Sequence, residues 1–142
     1  MKINLLIADD EKQFTDTLAR RLKVRDCNIT TVYSGEAAIE KAKTQAFDVI
    51  ILDVQMPGIS GIDALRQIRA ISPLVPVIMM TGETAVENAI QSMRLGAFDF
   101  VIKPMDTESL AEKIHQAYQL KSAHEERIRQ AEMDTILRKR EW

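Results

Sequence analysis

Short runs of apolar, largely β-branched residues alternate along the chain with stretches in which apolar residues recur every three or four positions. The runs predict five β-strands, at residues 3–8, 28–33, 48–53, 75–81 and 98–102. Most of them lack the polar alternation of a half-exposed strand, which is typical of strands that are buried on both faces. The stretches between and after them predict five helices, at residues 11–24, 35–46, 61–71, 85–95 and 107–119.

Local signals support these boundaries. Ser34 and Ser60 stand where the second and third helices would need N-caps, and Gly96 stands where the fourth would end. Strict alternation of strand and helix predicts an α/β fold, with a parallel sheet covered by helices on both faces and right-handed crossovers. In such sheets a ligand binds at the carboxyl ends of the strands.

Polar and charged side chains stand at the carboxyl ends of four predicted strands. These residues are Asp9-Asp10, Asp53, Thr81 and Lys103. Because the carboxyl ends of parallel strands meet at one edge of the sheet, we expect these side chains to converge. Buried carboxylates are costly unless they bind something. Together they could hold a hard cation such as Mg²⁺, and the cation with a lysine could hold a phosphoryl group.

Asp53 is the candidate nucleophile, since a carboxylate can accept a phosphoryl group as a mixed anhydride. Asp10, helped by Asp9, would hold Mg²⁺, while Lys103 and Thr81 would contact phosphoryl oxygens. Each residue alone has an ordinary explanation: an acidic first helical turn, a turn residue, a solvated strand end or a cap. Their joint placement at successive strand ends favours a site.

Composition narrows the class of protein. A length of 142 residues suits one domain, and 46% hydrophobic with 28% charged residues is an ordinary globular composition. The net charge of -2 gives no sign of a nucleic-acid or membrane surface. No signal peptide is visible and no apolar run approaches the roughly 20 residues of a membrane span, so we expect a cytoplasmic protein. The single Cys27 predicts neither a disulfide nor a zinc site.

The end of the chain differs from the rest. Residues 121–142 are rich in charged residues and contain no Gly or Pro, which favours helix. Their apolar positions are too few and irregular for a clear heptad pattern. We therefore expect one domain over residues 1–120 and a charged helical tail or linker over 121–142. The basic residues near Arg138 are interpreted as a solvated helix face rather than a nucleic-acid site.

Taken together, four motifs resemble the receiver domain of two-component response regulators: Asp9-Asp10, Asp53-Val54-Gln55-Met56-Pro57-Gly58 with Gly61, Thr81-Gly82, and Lys103-Pro104. The resemblance covers about residues 2–119, with the motifs in the family's order and spacing. It implies a doubly wound, flavodoxin-like sheet of five parallel strands in the order 2-1-3-4-5, here followed by a C-terminal helical extension. It also implies a cis peptide bond between Lys103 and Pro104.

The resemblance implies a role for each site residue. Asp53 would accept a phosphoryl group from a sensor histidine kinase or phosphotransfer protein. The Mg²⁺ ligands would be Asp9, Asp10, Asp53 and the backbone carbonyl of Gln55. Thr81 and Lys103 would bind the phosphoryl group, and Phe100 would be the aromatic residue that moves with Thr81 on switching. Gln55 and Glu83 occupy the family's rate-tuning positions.

The resemblance also implies a downstream output domain or protein, contacted by the face of the fourth helix, fifth strand and fifth helix. A homodimer could form through that face or through the C-terminal helix. Whether the chain is a stand-alone receiver or part of a larger regulator stays open.

Two other functions share part of this pattern. Phosphatases of the haloacid-dehalogenase type also use a strand-end aspartate with Mg²⁺, but they need an acid two residues later, where this chain has Gln55. A degenerate receiver that acts as a constitutive binding module would not need the intact Asp53, Thr81 and Lys103. The sequence thus favours a signalling phosphoacceptor, which catalyses only its own phosphoryl transfer and autodephosphorylation, over an enzyme.

Overall fold

A computed structural model describes residues 2–82 and 86–140 of the chain. Five parallel strands form one sheet: β1 (Ile3–Ala8), β2 (Cys27–Val32), β3 (Val49–Asp53), β4 (Val77–Thr81) and β5 (Asp99–Ile102). Five helices alternate with them: α1 (Lys12–Lys23), α2 (Gly35–Thr44), α3 (Gly61–Ile71), α4 (Val86–Arg94) and α5 (Thr107–Arg140). The strand order is β2-β1-β3-β4-β5, which confirms the predicted doubly wound α/β fold.

The apolar strands supply two cores, one on each face of the sheet. Because successive side chains of a strand point to opposite faces, neighbours in β3 belong to different cores. Ile50 and Leu52 pack on the face that also receives Leu65 of α3, whereas Ile51 packs on the face that receives Leu22 of α1. This two-sided burial explains why the strands are continuous apolar runs.

The predicted caps are present. Ser34 Oγ accepts a hydrogen bond from the Ala37 N–H (3.1 Å), and Ser60 Oγ accepts one from the Asp63 N–H (3.2 Å). Gly96 adopts a φ of 100° just after α4, a conformation that favours glycine. These contacts fix where α2 and α3 begin and where the chain turns from α4 towards β5.

The start of β4 is later than predicted. The expected strand began at residue 75, but the Val75 N–H donates to the Ser72 carbonyl (3.2 Å) in a turn. Pro76 has no N–H to give to a sheet. The regular ladder therefore begins at Val77.

A close contact between α3 and β3 shapes the loop after Asp53. The Gly61 N–H donates to the Val54 carbonyl (2.9 Å). A Cβ at Gly61 would lie 1.9 Å from the carbonyl oxygen of Asp53, so a larger residue cannot occupy this position without movement of the backbone. The first residue of α3 thus rests directly on the segment that carries the candidate nucleophile.

Helix α5 continues well past the sheet. Its last buried residue is Ala117, and Lys121 then pairs with Asp48 (3.3 Å) and Glu125 (2.8 Å). The predicted division at residue 120 falls within this continuous helix, and the assignment of 121–142 as tail or linker stays a prediction. Among the described residues, no helix has the length and apolar character needed to cross a membrane.

Candidate functional site

Three carboxylates meet at the carboxyl ends of β1 and β3. Asp9, directly after β1, is fully buried, and Asp53, the last residue of β3, is 6% exposed. Asp10 is exposed beside them. One carboxylate oxygen of each residue lies within 4.8 Å of one oxygen of the other two. The three predicted acids are therefore brought together, and their hard oxygen ligands and mutual repulsion fit a divalent cation such as Mg²⁺.

Lys103 lies among these acids. Its Nζ is 2.6 Å from Asp9 Oδ2, 3.4 Å from Asp53 Oδ2 and 3.4 Å from Glu11 Oε1. The Lys103 backbone N–H donates to the Thr81 carbonyl (2.8 Å), and the peptide bond to Pro104 is cis, as expected. The backbone hydrogen bond joins the end of β5 to the end of β4. The single ammonium group of Lys103 pairs with three carboxylates.

The charges shift the pKa values of Asp53 and Lys103. Burial, followed by the negative charge of Asp9, raises the pKa of Asp53 from 3.8 to about 6, although Lys103 and the Gln55 N–H oppose the shift. Burial alone would lower the pKa of Lys103. The hydrogen bond to Asp9 and the charges of Asp53, Asp9 and Glu11 outweigh burial and raise it. Lys103 therefore stays positively charged beside a carboxyl group that is reluctant to ionise.

Backbone groups fix the orientation of both buried acids. Asp9 Oδ1 accepts a hydrogen bond from the Glu11 N–H (3.0 Å), and Asp53 Oδ1 accepts one from the Gln55 N–H (3.3 Å). The hydroxyl of the fully buried Thr15 lies between two backbone acceptors, the Glu11 carbonyl (2.9 Å) and the Asp9 carbonyl (3.2 Å). These contacts also place the Gln55 peptide next to Asp53, while the Gln55 side chain is exposed.

The predicted switch residues lie on neighbouring strands. Thr81 is the buried last residue of β4 and donates its hydroxyl to the Gly82 carbonyl (3.2 Å). Phe100 in β5 is half-buried and packs against the core on the α3 face of the sheet. Glu83, the second predicted rate-tuning residue, lies outside the described residues.

Three residues near the site were not singled out from the sequence. Glu11 reaches Lys103, and the ring of Phe14 lies under the Lys103 ammonium, with Nζ 4.6 Å from the ring centroid. Glu36 accepts a hydrogen bond from the Ile59 N–H (2.7 Å), which lowers the pKa of Glu36 and holds the loop between β3 and α3. Phe14 lies among the apolar positions of α1 and Glu36 lies in the first turn of α2, so the sequence around these two residues gave no sign of the contacts.

Comparison with known proteins gives a consistent assignment. The family model for the response regulator receiver domain matches residues 5–115. The transcriptional regulatory protein ZraR of Salmonella typhimurium is 34% identical over 116 residues, which are 82% of this chain and 26% of that protein. The probable transcriptional regulatory protein TcrX of Mycobacterium tuberculosis is 36% identical over 108 residues, 76% of this chain and 46% of that protein.

Solved structures agree with the sequence matches. A response regulator receiver domain protein from Clostridium thermocellum superimposes with a TM-score of 0.80 at 32% identity, covering 85% of this chain and 98% of that one. The chain thus spans nearly all of a solved receiver domain. In contrast, it spans about a quarter of ZraR and about half of TcrX.

Proposed function

The chain belongs to the response regulator receiver domain family, and we propose that it is a phosphoacceptor switch in which Asp53 receives a phosphoryl group from a histidine kinase or phosphotransfer protein. The observation that carries the proposal is the cluster of Asp9, Asp10 and Asp53 at one edge of the sheet, together with the Lys103 ammonium that contacts Asp9 and Asp53. This arrangement offers a nucleophile, a cation site and a fixed positive charge within a few ångströms.

In the proposed reaction a carboxylate oxygen of Asp53 forms a bond to phosphorus. The bond between phosphorus and the imidazole nitrogen of the donor breaks, and the nitrogen keeps the electron pair. Asp9, Asp10, Asp53 and the Gln55 carbonyl would hold Mg²⁺, which would supply positive charge to the phosphoryl oxygens. Lys103 and Thr81 would bind the remaining phosphoryl oxygens.

The proposal favours a switch over a hydrolase because of Gln55. A phosphatase with the same aspartate would need a proton donor and acceptor two residues after Asp53, and an amide side chain cannot serve as one. Gln55 and Glu83 would instead tune how long the phosphoryl group persists.

Phosphorylation would add a charge of about -1.5 to -2 next to Thr81 and Lys103. We expect both residues to turn towards the new oxygens and Phe100 to follow Thr81. The surface of α4, β5 and α5 would then change its shape. Among the described side chains of α4 and β5, three apolar ones are already exposed, namely Ile90, Met93 and Ile102. They would form part of the contact with an output domain, an output protein or a second copy of the chain.

The proposed switch would act on a downstream output domain or protein. Curated relatives are transcriptional regulators longer than this chain, which supports a downstream output domain or protein. The cytoplasmic location expected from the sequence stays a prediction.

The switch can be tested with beryllofluoride, which mimics an aspartyl phosphate. We expect beryllofluoride with Mg²⁺ to shift the backbone NMR signals of the Asp53 loop and of residues 86–120. Asp53→Asn should abolish both sets of shifts. Asp63→Asn, which removes an exposed carboxylate on α3, should respond as the wild type does.

The NMR experiment separates two failures. Shifts confined to the Asp53 loop would refute the switch while leaving the acceptor site intact. An absence of any shift, or an unchanged response in Asp53→Asn, would refute the assignment of Asp53 as phosphoacceptor.

A further inference from the structure

The Lys103 ammonium has different neighbours on its two sides. On the sheet side it faces the carboxylates of Asp9 and Asp53, at 2.6 and 3.4 Å. On the α1 side it faces the exposed carboxylate of Glu11 and the aromatic ring of Phe14, whose centroid is 4.6 Å from Nζ. The Lys103 side chain is only 16% exposed, so this ring contact is largely shielded from water.

An aromatic ring holds an ammonium group in a way that another acid cannot. The ring face attracts the cation without accepting a directed hydrogen bond and without adding negative charge to a site that already contains three carboxylates. The N–H groups of Lys103 therefore stay available for oxygen partners. A ring also keeps its attraction when the ammonium exchanges one oxygen partner for another.

Such an exchange is required by the proposed function, on which this inference rests. Lys103 now makes its shortest contact with Asp9, but it must contact a phosphoryl oxygen when Asp53 is attacked. We propose that Phe14 is a positioning residue for phosphoryl transfer: its ring holds the Lys103 ammonium beside Asp53 while Lys103 moves from Asp9 to the phosphoryl group.

The competing explanation is that Phe14 only fills space. Phe14 is half-buried and packs against the core on the α1 side of the sheet, so its removal could loosen the domain. Phe98 provides a matched control, because it packs against the same core but lies before β5, at the opposite end of that strand from Lys103. The substitutions Phe14→Leu and Phe98→Leu thus remove equal rings from one core.

The rate of Asp53 phosphorylation by acetyl phosphate with Mg²⁺ tests the proposal. In this reaction an Asp53 oxygen bonds to phosphorus and acetate leaves with the electron pair of the broken P–O bond. We expect Phe14→Leu to slow the reaction roughly three- to tenfold. Phe14→Tyr, which keeps the ring, should restore the wild-type rate, and Phe98→Leu should retain it.

A double-mutant cycle assigns the effect to Lys103. In a Lys103→Met background, Phe14→Leu should slow the reaction no further, because the cation that the ring holds is gone. Equal slowing by Phe14→Leu and Phe14→Tyr, or an undiminished effect without Lys103, would overturn the proposal and leave Phe14 as a packing residue.

A measurement on the wild-type protein covers the case in which Phe14→Leu fails to fold. The ε-methylene protons of Lys103 should resonate upfield of those of Lys113, because the Phe14 ring current acts on Lys103. Lys113 instead pairs with Asp99. Absence of that displacement would overturn the inference. If the wild type accepted no phosphoryl group, the proposed function itself would fail. If the wild type were phosphorylated and Phe14→Leu were phosphorylated equally fast, only the role of Phe14 would be overturned.

Discussion

At the scale of single residues, the site holds an excess of negative charge around one ammonium group. Asp9 and Asp53 are both buried and share Lys103, with Glu11 as a third, exposed partner. Burial and the charge of Asp9 raise the pKa of Asp53 to about 6. The folded protein therefore keeps a repulsion between buried carboxylates, which a bound cation would relieve.

The burial of Asp53 and its repulsion from Asp9 predict that the stability of the fold depends on pH in Mg²⁺-free buffer. The pKa of Asp53 is 3.8 in an ordinary environment and about 6 in the fold, so between these values the folded state binds more protons than the unfolded state. The stability that Asp53 contributes to the folded state is fully present below pH 3.8 and is lost as the pH rises through about 6. We expect a loss of up to about 3 kcal/mol in the free energy of unfolding, measured by urea denaturation.

Substitution isolates this contribution from other titrating groups. Asp53→Asn should lack the loss and should be more stable than the wild type above pH 6. Asp134→Asn, on the exposed extension of α5, should follow the wild-type profile. Parallel profiles for Asp53→Asn and the wild type would contradict the raised pKa of Asp53 in the folded protein.

The residues that the sequence could reveal were those whose position alone carries information. Asp9, Asp10, Asp53, Thr81 and Lys103 stand at strand ends, and parallel strands bring their ends together. Phe14 could not be assigned, because a ring on the apolar face of a helix looks the same whether it fills a core or contacts a lysine. Its contact depends on the direction of the Lys103 side chain, which no periodicity encodes.

At the scale of elements, the helices fix the geometry of the loops that carry the site. Helix α3 presses on the end of β3 at Gly61, and the Glu36 carboxylate of α2 holds the loop between them through the Ile59 N–H. The loop after Asp53 is therefore fastened at both of its neighbouring helices.

Gly61 should be intolerant of substitution. In Gly61→Ala the new Cβ would lie 1.9 Å from the Asp53 carbonyl oxygen and 2.8 Å from Val54 Cα, both of them backbone atoms. We expect a loss of roughly 2–4 kcal/mol in the free energy of unfolding, because α3 or the end of β3 must move. Chemical denaturation measures this loss.

Gly82→Ala is the matched control for this prediction. Apart from chain neighbours, no atom of the described residues lies within 4 Å of a Cβ built at Gly82. Its stability should stay within about 0.5 kcal/mol of the wild type. Equal stabilities of the two alanine variants would show that α3 does not constrain the Asp53 loop.

Most elements could be predicted because apolar runs, serine caps and Gly96 all indicated the same boundaries. The extent of α5 shows where such reasoning ends. Helical composition was evident after residue 120, but the sequence could not show that the helix continues unbroken from the domain. The Lys121 pair with Asp48, a residue 73 positions earlier, fastens this junction.

At the scale of the whole molecule, the extension of α5 after residue 120 is the described segment with the fewest packing contacts to the rest of the domain. Beyond Glu125 its side chains are exposed, including Ile128, Met133, Ile136 and Leu137 at 45–51%. In proteins most of the stability of a helix comes from the packing of an apolar face rather than from the helix propensity of its residues. The length of the curated relatives also leaves room for further segments beside a receiver domain.

We expect the extension to pack against a second copy of the chain. Sedimentation equilibrium should then give a dimer for the full chain and a monomer for a chain that ends at Gln119. The full-length variant Ile128→Glu with Ile136→Glu should also be monomeric, because two exposed apolar side chains are lost while the helix remains. The same number of subunits in all three proteins would reject dimerisation through the extension.

The central claim is that Asp53 is the phosphoacceptor, and intact-mass spectrometry after incubation with acetyl phosphate tests it most directly. We predict that the wild type and Asp63→Asn each gain the mass of one phosphoryl group when Mg²⁺ is present, and that both stay unmodified when it is chelated. Asp53→Asn should gain none. An unmodified wild type, or equal labelling of Asp53→Asn, would contradict the account.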